Sequence, residues 1–168
     1  YKTIAGNTTL YAKWTADTYT IEYALNGGSV EGTNPTSYTI ESNNITLINP
    51  TKTGYTFAGW TGSNGTTAQT SVSVAKGSTG NKTYTANWTY SATPSISRTD
   101  YNTFSVSATS GSKYIISKTQ TTAPTASTSG WATTASKDVS TSAKETWYVW
   151  VQDADGKVSA NSATITND

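Results

Sequence analysis

Asn49-Pro50-Thr51-Lys52-Thr53-Gly54-Tyr55-Thr56-Phe57-Ala58-Gly59-Trp60 decides how the rest of this chain is read. Pro50 pre-sets φ and Gly54 tolerates φ > 0, so the two bracket a turn. An aromatic strand follows at once. In a straight strand Tyr55, Phe57 and Gly59 share one face, and Thr56, Ala58 and Trp60 share the other. Phe57 and Trp60 reach one core only if the strand bends. Glycine inside a strand often marks a bulge, so the spacing predicts one at Gly59.

Working outward, the neighbouring segments are also short and extended. Tyr19, Ile21, Tyr23 and Leu25 alternate with Thr20, Glu22 and Ala24, the pattern of a half-buried strand. Asn26-Gly27-Gly28 ends it. Tyr38-Thr39-Ile40 and Ile45-Thr46-Leu47-Ile48 follow, split by Ser42-Asn43-Asn44. Thr61-Gly62-Ser63-Asn64-Gly65 reads as a loop; no strong amphipathic helix shows, and the most the pattern allows is a helical turn near Ala68–Ser71. Val72 and Val74 predict a short strand, and Thr83 to Trp88 a longer one.

Part of this pattern occurs twice. Gly6-Asn7-Thr8-Thr9-Leu10-Tyr11-Ala12-Lys13-Trp14-Thr15 aligns with Gly80-Asn81-Lys82-Thr83-Tyr84-Thr85-Ala86-Asn87-Trp88-Thr89. Trp14 and Trp88 are 88 − 14 = 74 residues apart, a period that fits a repeated small domain rather than a solenoid unit. Residues 1–16 therefore read as the closing strand of a preceding copy, packed on the next copy or on another chain. Residues 17–90 read as a complete copy.

Thr89-Tyr90-Ser91-Ala92-Thr93-Pro94 reads as a linker, and residues 91–168 change character. Phe104, Val106 and Ala108 alternate with Ser and Thr. Tyr114-Ile115-Ile116 is extended. Thr119 to Gly130 is polar and suits a long loop or an irregular edge strand. Trp147-Tyr148-Val149-Trp150-Val151 is the strongest strand, Asp153-Ala154-Asp155-Gly156-Lys157 a hairpin turn, and Val158 to Ile165 the return. Short strands at such intervals predict a small antiparallel sandwich.

Composition narrows the function. Charged residues are 12% of 168, against about 25% in an ordinary globular domain. The net charge of +1 gives no field for nucleic acid or anionic lipid. No apolar run approaches the roughly 20 residues that span a bilayer. The apolar residues are concentrated in 6 Trp and 11 Tyr, enough to build small cores. Cys, Met and His are absent, which suits an exposed protein outside the cell. No signal-peptide pattern opens the chain, so its export signals are expected elsewhere.

Three pieces carry a family resemblance. Tyr19-Thr20-Ile21-Glu22-Tyr23-Ala24-Leu25-Asn26-Gly27-Gly28, Pro50 to Trp60, and Thr8-Thr9-Leu10-Tyr11-Ala12-Lys13-Trp14 resemble the start, middle and end of the Listeria–Bacteroides repeat, also known from the B repeat of internalins. The resemblance covers residues 1–90. It implies a mainly β chain with a β-grasp-like (ubiquitin-like) module, found in tandem in large secreted or wall-anchored proteins of Gram-positive bacteria and in some Bacteroides proteins. It implies no catalytic or binding residues. Tyr84-Thr85-Ala86-Asn87-Trp88 departs from it in lacking the Leu-Tyr of the first copy. Residues 91–168 are similar to bacterial immunoglobulin-like or fibronectin-like modules, on Trp147 to Ser159.

Candidate chemistry is sparse. Without His or Cys the usual nucleophilic triads cannot be built, and no two of Glu22, Glu31, Glu41, Asp138, Glu145, Asp153 and Asp155 share a motif. No enzyme, cofactor or metal is expected. Asp153-x-Asp155-Gly156 starts like a calcium loop but lacks the later acidic ligands, so a hairpin turn is the simpler reading. A Lys–Asn isopeptide staple would use Lys13, Lys52, Lys82, Lys113 or Lys118, yet no spacing selects a pair. For sugar binding the residues to watch are Tyr148 and Trp150, on the face opposite Trp147, Val149 and Val151, with Trp131 nearby; alternatively they pack under the Thr119–Gly130 loop. The expected function is a non-catalytic repeat or stalk segment of a bacterial cell-surface or secreted protein, spacing other domains and contributing to adhesion. The alternative is a carbohydrate-binding accessory module. The expected partners are neighbouring domains of the same protein and host glycans or surface proteins, with no nucleic acid and no membrane insertion.

Overall fold

A computed structural model describes residues 11–99, 103–138, 145–159 and 162–167. Every regular element among them is a strand. The chain is mainly β, as the alternating patterns predict.

The first sheet holds five strands in the order β2-β1-β7-β4-β5. They are β1 (Tyr19–Ala24), β2 (Ser37–Tyr38), β4 (Tyr55–Gly62), β5 (Gly65–Gln69) and β7 (Lys82–Tyr90). β3 (Ile45–Thr46) and β6 (Ser73–Val74) form a separate antiparallel pair. β7 is central. It runs parallel to β1, with Ile21 opposite Lys82, and antiparallel to β4. β7 alternates as its sequence requires: Tyr84, Ala86, Trp88 and Tyr90 are buried, with Thr83, Thr85, Asn87 and Thr89 more open.

β4 carries the expected irregularity. Phe57 lies opposite Trp88 and Gly59 opposite Asn87, so β4 advances two residues while β7 advances one. One extra residue reverses the face of everything after it. Phe57 and Trp60 therefore meet the same core, with ring centroids 5.4 Å apart at 71°. Trp60 is fully buried, and its indole N–H donates to Asn49 Oδ1 at 3.0 Å. Only glycine fits the bulge. Gly59 has φ of 127°, and a Cβ there would lie 2.6 Å from the backbone nitrogen of Gln69 on β5. Trp88 has its own seat: a Cβ on Gly28 would lie 2.4 Å from its ring, and its N–H donates to Leu25 O. Asn34, also buried, exchanges two hydrogen bonds with the backbone of Ile48 and so pins the long β2–β4 connection.

Three expectations in this half need correcting. The helical turn near Ala68–Ser71 is absent; β5 runs to Gln69 instead. The stretch read as a loop, Thr61–Gly65, is the tight end of the β4–β5 hairpin, with both flanking residues already in strands. The tail also differs. No strand occurs over residues 11–18, and Tyr11 and Trp14 are each 89% exposed, so this part of the tail is not a guest strand on the sheet. The remainder of that expectation, residues 1–10, lies outside the described residues.

The second half contains two three-stranded antiparallel sheets. One is β10 (Lys113–Ser117), β12 (Glu145–Gln152) and β13 (Ala163–Asn167), with β12 in the middle; the other is β8 (Ser95–Arg98), β9 (Thr103–Ser107) and β11 (Ser136–Asp138), with β9 in the middle. Their facing sides share a core. Phe104 on β9 meets Trp147 on β12, with Ile96, Ile116 and Ile165 around them. The return after the hairpin is interrupted: Val158 bridges Gln152, and β13 begins only at Ala163.

Candidate functional site

The two halves meet where β7 ends and the β12 hairpin turns. The segment read as a linker is packed. Tyr90 is the last residue of β7, and it, Ala92 and Pro94 are buried. Tyr90 and Ala92 share a core with Val151, against which Tyr55, Ala108 and Tyr114 also pack. The approach is close: Gly54, at φ of 81°, sits where a Cβ would be 3.2 Å from Thr109 Cγ2.

Polar groups fix the register of this contact. The Tyr55 hydroxyl donates to Asp153 Oδ2 at 2.6 Å, and Tyr90 donates to Thr109 O at 2.7 Å. Lys157 Nζ donates to Trp88 O at 3.1 Å. Asp153 is 3% exposed, and its other oxygen accepts from the backbone N–H of Asp155 and Lys157. The carboxylate thus holds the Asp-Gly turn with one oxygen and the first half of the chain with the other, a use of its charge that needs no metal ion. Burial, and then the hydrogen bond to Asp153, push the Tyr55 hydroxyl well above the usual phenol range. Burial followed by the Asp153 charge raises Tyr90 as well.

A cleft of about 600 Å³ opens beside this junction, lined by Asn26, Lys52, Ala86, Asn87, Trp88, Asp155 and Lys157. It lies between the turn after β1, the turn before β4, the end of β7 and the β12 hairpin. Lys52 Nζ sits 4.1 Å from the centre of the Tyr55 ring and donates to Asn26 O. Lys157 Nζ lies 5.7 Å from the centre of the same ring. Sequence reading missed this cleft. Its residues are spread from position 26 to position 157 over four separate motifs, and nothing in any one of them signals that the four meet.

The aromatic residues expected to bind sugar are placed as follows. Trp147, Val149 and Val151 are all buried, as the alternation predicts. Tyr148 and Trp131 are half-buried. Trp150 differs from the expectation of an exposed face: it is 5% exposed, and its indole N–H donates to Gln120 O at 2.8 Å. Gln152 on the same face donates to Ala126 O, and Trp131 donates to Thr125 O. The polar loop between Ser117 and Trp131 therefore covers this face, which was the other reading. Three of the five lysines considered for a staple bond elsewhere: Lys52 to Asn26 O, Lys82 to Thr79 O, and Lys118 to Glu145 in an ion pair of 2.9 Å.

No curated protein and no solved structure shows significant similarity to the chain. A family model does match. That family, found in bacterial surface proteins and generally non-catalytic, is the Listeria-Bacteroides repeat domain, and the match spans residues 19–86, from the first residue of β1 into β7.

Proposed function

We propose that this chain is a non-catalytic spacer segment of a bacterial cell-surface or secreted protein, built as a β-grasp-like repeat followed by an immunoglobulin-like sandwich. The parallel β1–β7 pair at the centre of a mixed sheet supports the first assignment. The facing antiparallel sheets around Phe104 and Trp147 support the second. The recurrence of Gly, Asn, Thr, Ala, Trp and Thr at residues 6–15 and 80–89 supports reading residues 1–16 as the closing motif of a preceding copy.

The spacer reading rests on one observation: the junction is packed and hydrogen-bonded rather than loose. A spacer sets distance and direction only if its modules hold a fixed angle. Inter-domain contacts are mobile by default unless they are large and apolar. Here a buried Tyr90–Val151 contact is reinforced by Tyr55–Asp153 and Lys157–Trp88 hydrogen bonds. Backbone ¹⁵N relaxation tests it. One rotational correlation time for both halves is expected; separate tumbling would overturn the spacer reading.

A further inference from the structure

Two lysines from different halves of the chain converge on one cleft. Lys52 belongs to the turn before β4 and Lys157 to the hairpin after β12. Each ammonium has three donors. Among the described residues each uses one, on Asn26 O and on Trp88 O. Neither has a carboxylate within ion-pair distance, since the ion pair among the described residues is Lys118–Glu145. Asp155 lines the same cleft, so the rim carries two positive charges and one negative. The amides of Asn26 and Asn87 also line it. Their nitrogens are bonded inside the chain, to Ala86 O and to Gly59 O, Thr61 Oγ1 and Thr85 O, and their oxygens accept nothing from the described residues.

The geometry points to a composite binding site for a carboxylate-bearing sugar. The ammonium donors of Lys52 and Lys157 take the carboxylate. The free amide oxygens of Asn26 and Asn87 accept from ring hydroxyls. A simple inorganic anion would leave most of the cleft of about 600 Å³ empty and the amide oxygens unused. An apolar ligand would find only Ala86 and Trp88 to pack on. The site exists only when the halves are docked, because each supplies one lysine. Bound sugar therefore adds to the junction's stability by mass action. The inference rests on the docked junction, so separate tumbling would remove both; a spacer that binds nothing would still tumble as one body, so loss of binding alone leaves the spacer reading standing.

The test is a ¹⁵N–¹H titration of the full chain at low salt with digalacturonate, with sialyllactose, and with neutral lactose. Shifts at Asn26, Asn87, Asp155 and Lys157 are expected with an acidic sugar, saturating at a Kd of order 1 mM. Which of the two acidic sugars binds tells uronate from sialate. Lys157→Gln is expected to weaken binding about three- to fivefold. Asp155→Asn provides a gain that no misfolding could mimic. The turn uses the backbone N–H of Asp155 and not its carboxylate, and removing the negative charge is expected to tighten binding about two- to threefold. Absence of localised shifts with both acidic sugars, equal shifts with lactose, or unchanged affinity in Asp155→Asn would each overturn the proposal.

Discussion

Trp14 and Trp88 occupy the same place in a repeated motif and meet opposite fates. Trp88 is 7% exposed and Trp14 is 89% exposed. The local sequences, Ala12-Lys13-Trp14-Thr15 and Ala86-Asn87-Trp88-Thr89, differ little. The surroundings differ. Trp88 has β1 on one side and β4 on the other, the Phe57 ring 5.5 Å away, and Gly28 beneath it. The described part of the tail has no such neighbours. The motif is therefore a central strand waiting for two partners; its own propensity does not make it one.

The largest test of this contrast is Trp88→Ala. It removes a large core side chain, and a loss of about 3–5 kcal/mol in urea unfolding is expected. A loss under 1 kcal/mol would show that the sheet does not depend on this seat. Next comes Tyr55→Phe, which strips the phenol from the buried Asp153 carboxylate at the edge of the same core. A cost of about 1.5–3 kcal/mol is expected, from the usual range for hydrogen bonds to charged groups. The double variant with Asp153→Asn should cost less than the two single changes summed; strict additivity would mean the pair is not coupled.

Gly28→Ala tests the seat from the other side. Its methyl group would enter the Trp88 ring, and overpacking of about 1–3 kcal/mol is expected. Trp88→Phe should relieve part of that cost; if it does not, the steric account is wrong. Alkali gives a more gradual effect. Burial first, then neighbouring Tyr84, push the Tyr23 hydroxyl up to about 12. Burial raises Tyr84 as well. A phenol with a raised folded pKa holds its proton better in the folded state. Its contribution is complete below pH 10 and declines as pH rises from 10 towards 12. The urea midpoint should be level from pH 8 to pH 9 and fall by pH 11, and a flat profile would refute the assignment. The smallest effect belongs to the exposed copy. Trp14→Ala should change stability by less than about 0.5 kcal/mol, while removing the fluorescence most readily quenched by acrylamide.

Some of this architecture was legible in the sequence for a definite reason. Phe57 and Trp60 have the wrong spacing for one face, and Gly59 stands between them, so a bulge resolves the conflict. Trp147, Val149 and Val151 have the right spacing, and β12 is straight through them. Other elements left no such trace. β5 is Gly-Thr-Thr-Ala-Gln with every residue exposed; it is held by its hydrogen bonds to β4 and by the close approach at Gly59, neither of which patterns side chains. β11 is likewise wholly exposed. Trp150 looked available because its cover is a polar loop whose backbone carbonyls do the work. The junction and its cleft join residues about a hundred positions apart, and a turn motif at Asp153–Gly156 announces only its local part.

The parallel pairing of β1 with β7 has a mechanical meaning. The chain enters the five-stranded sheet at the start of β1 and leaves it at the end of β7. Tension between those points pulls two adjacent parallel strands past each other lengthwise. The bonds from Ile21–Lys82 to Ala24–Thr85 then bear the load together and must break together. A hairpin pulled at its open end would yield one rung at a time. The load next passes from Tyr90 straight into the buried contact with Val151. Both the sheet and the joint after it are thus oriented to resist extension.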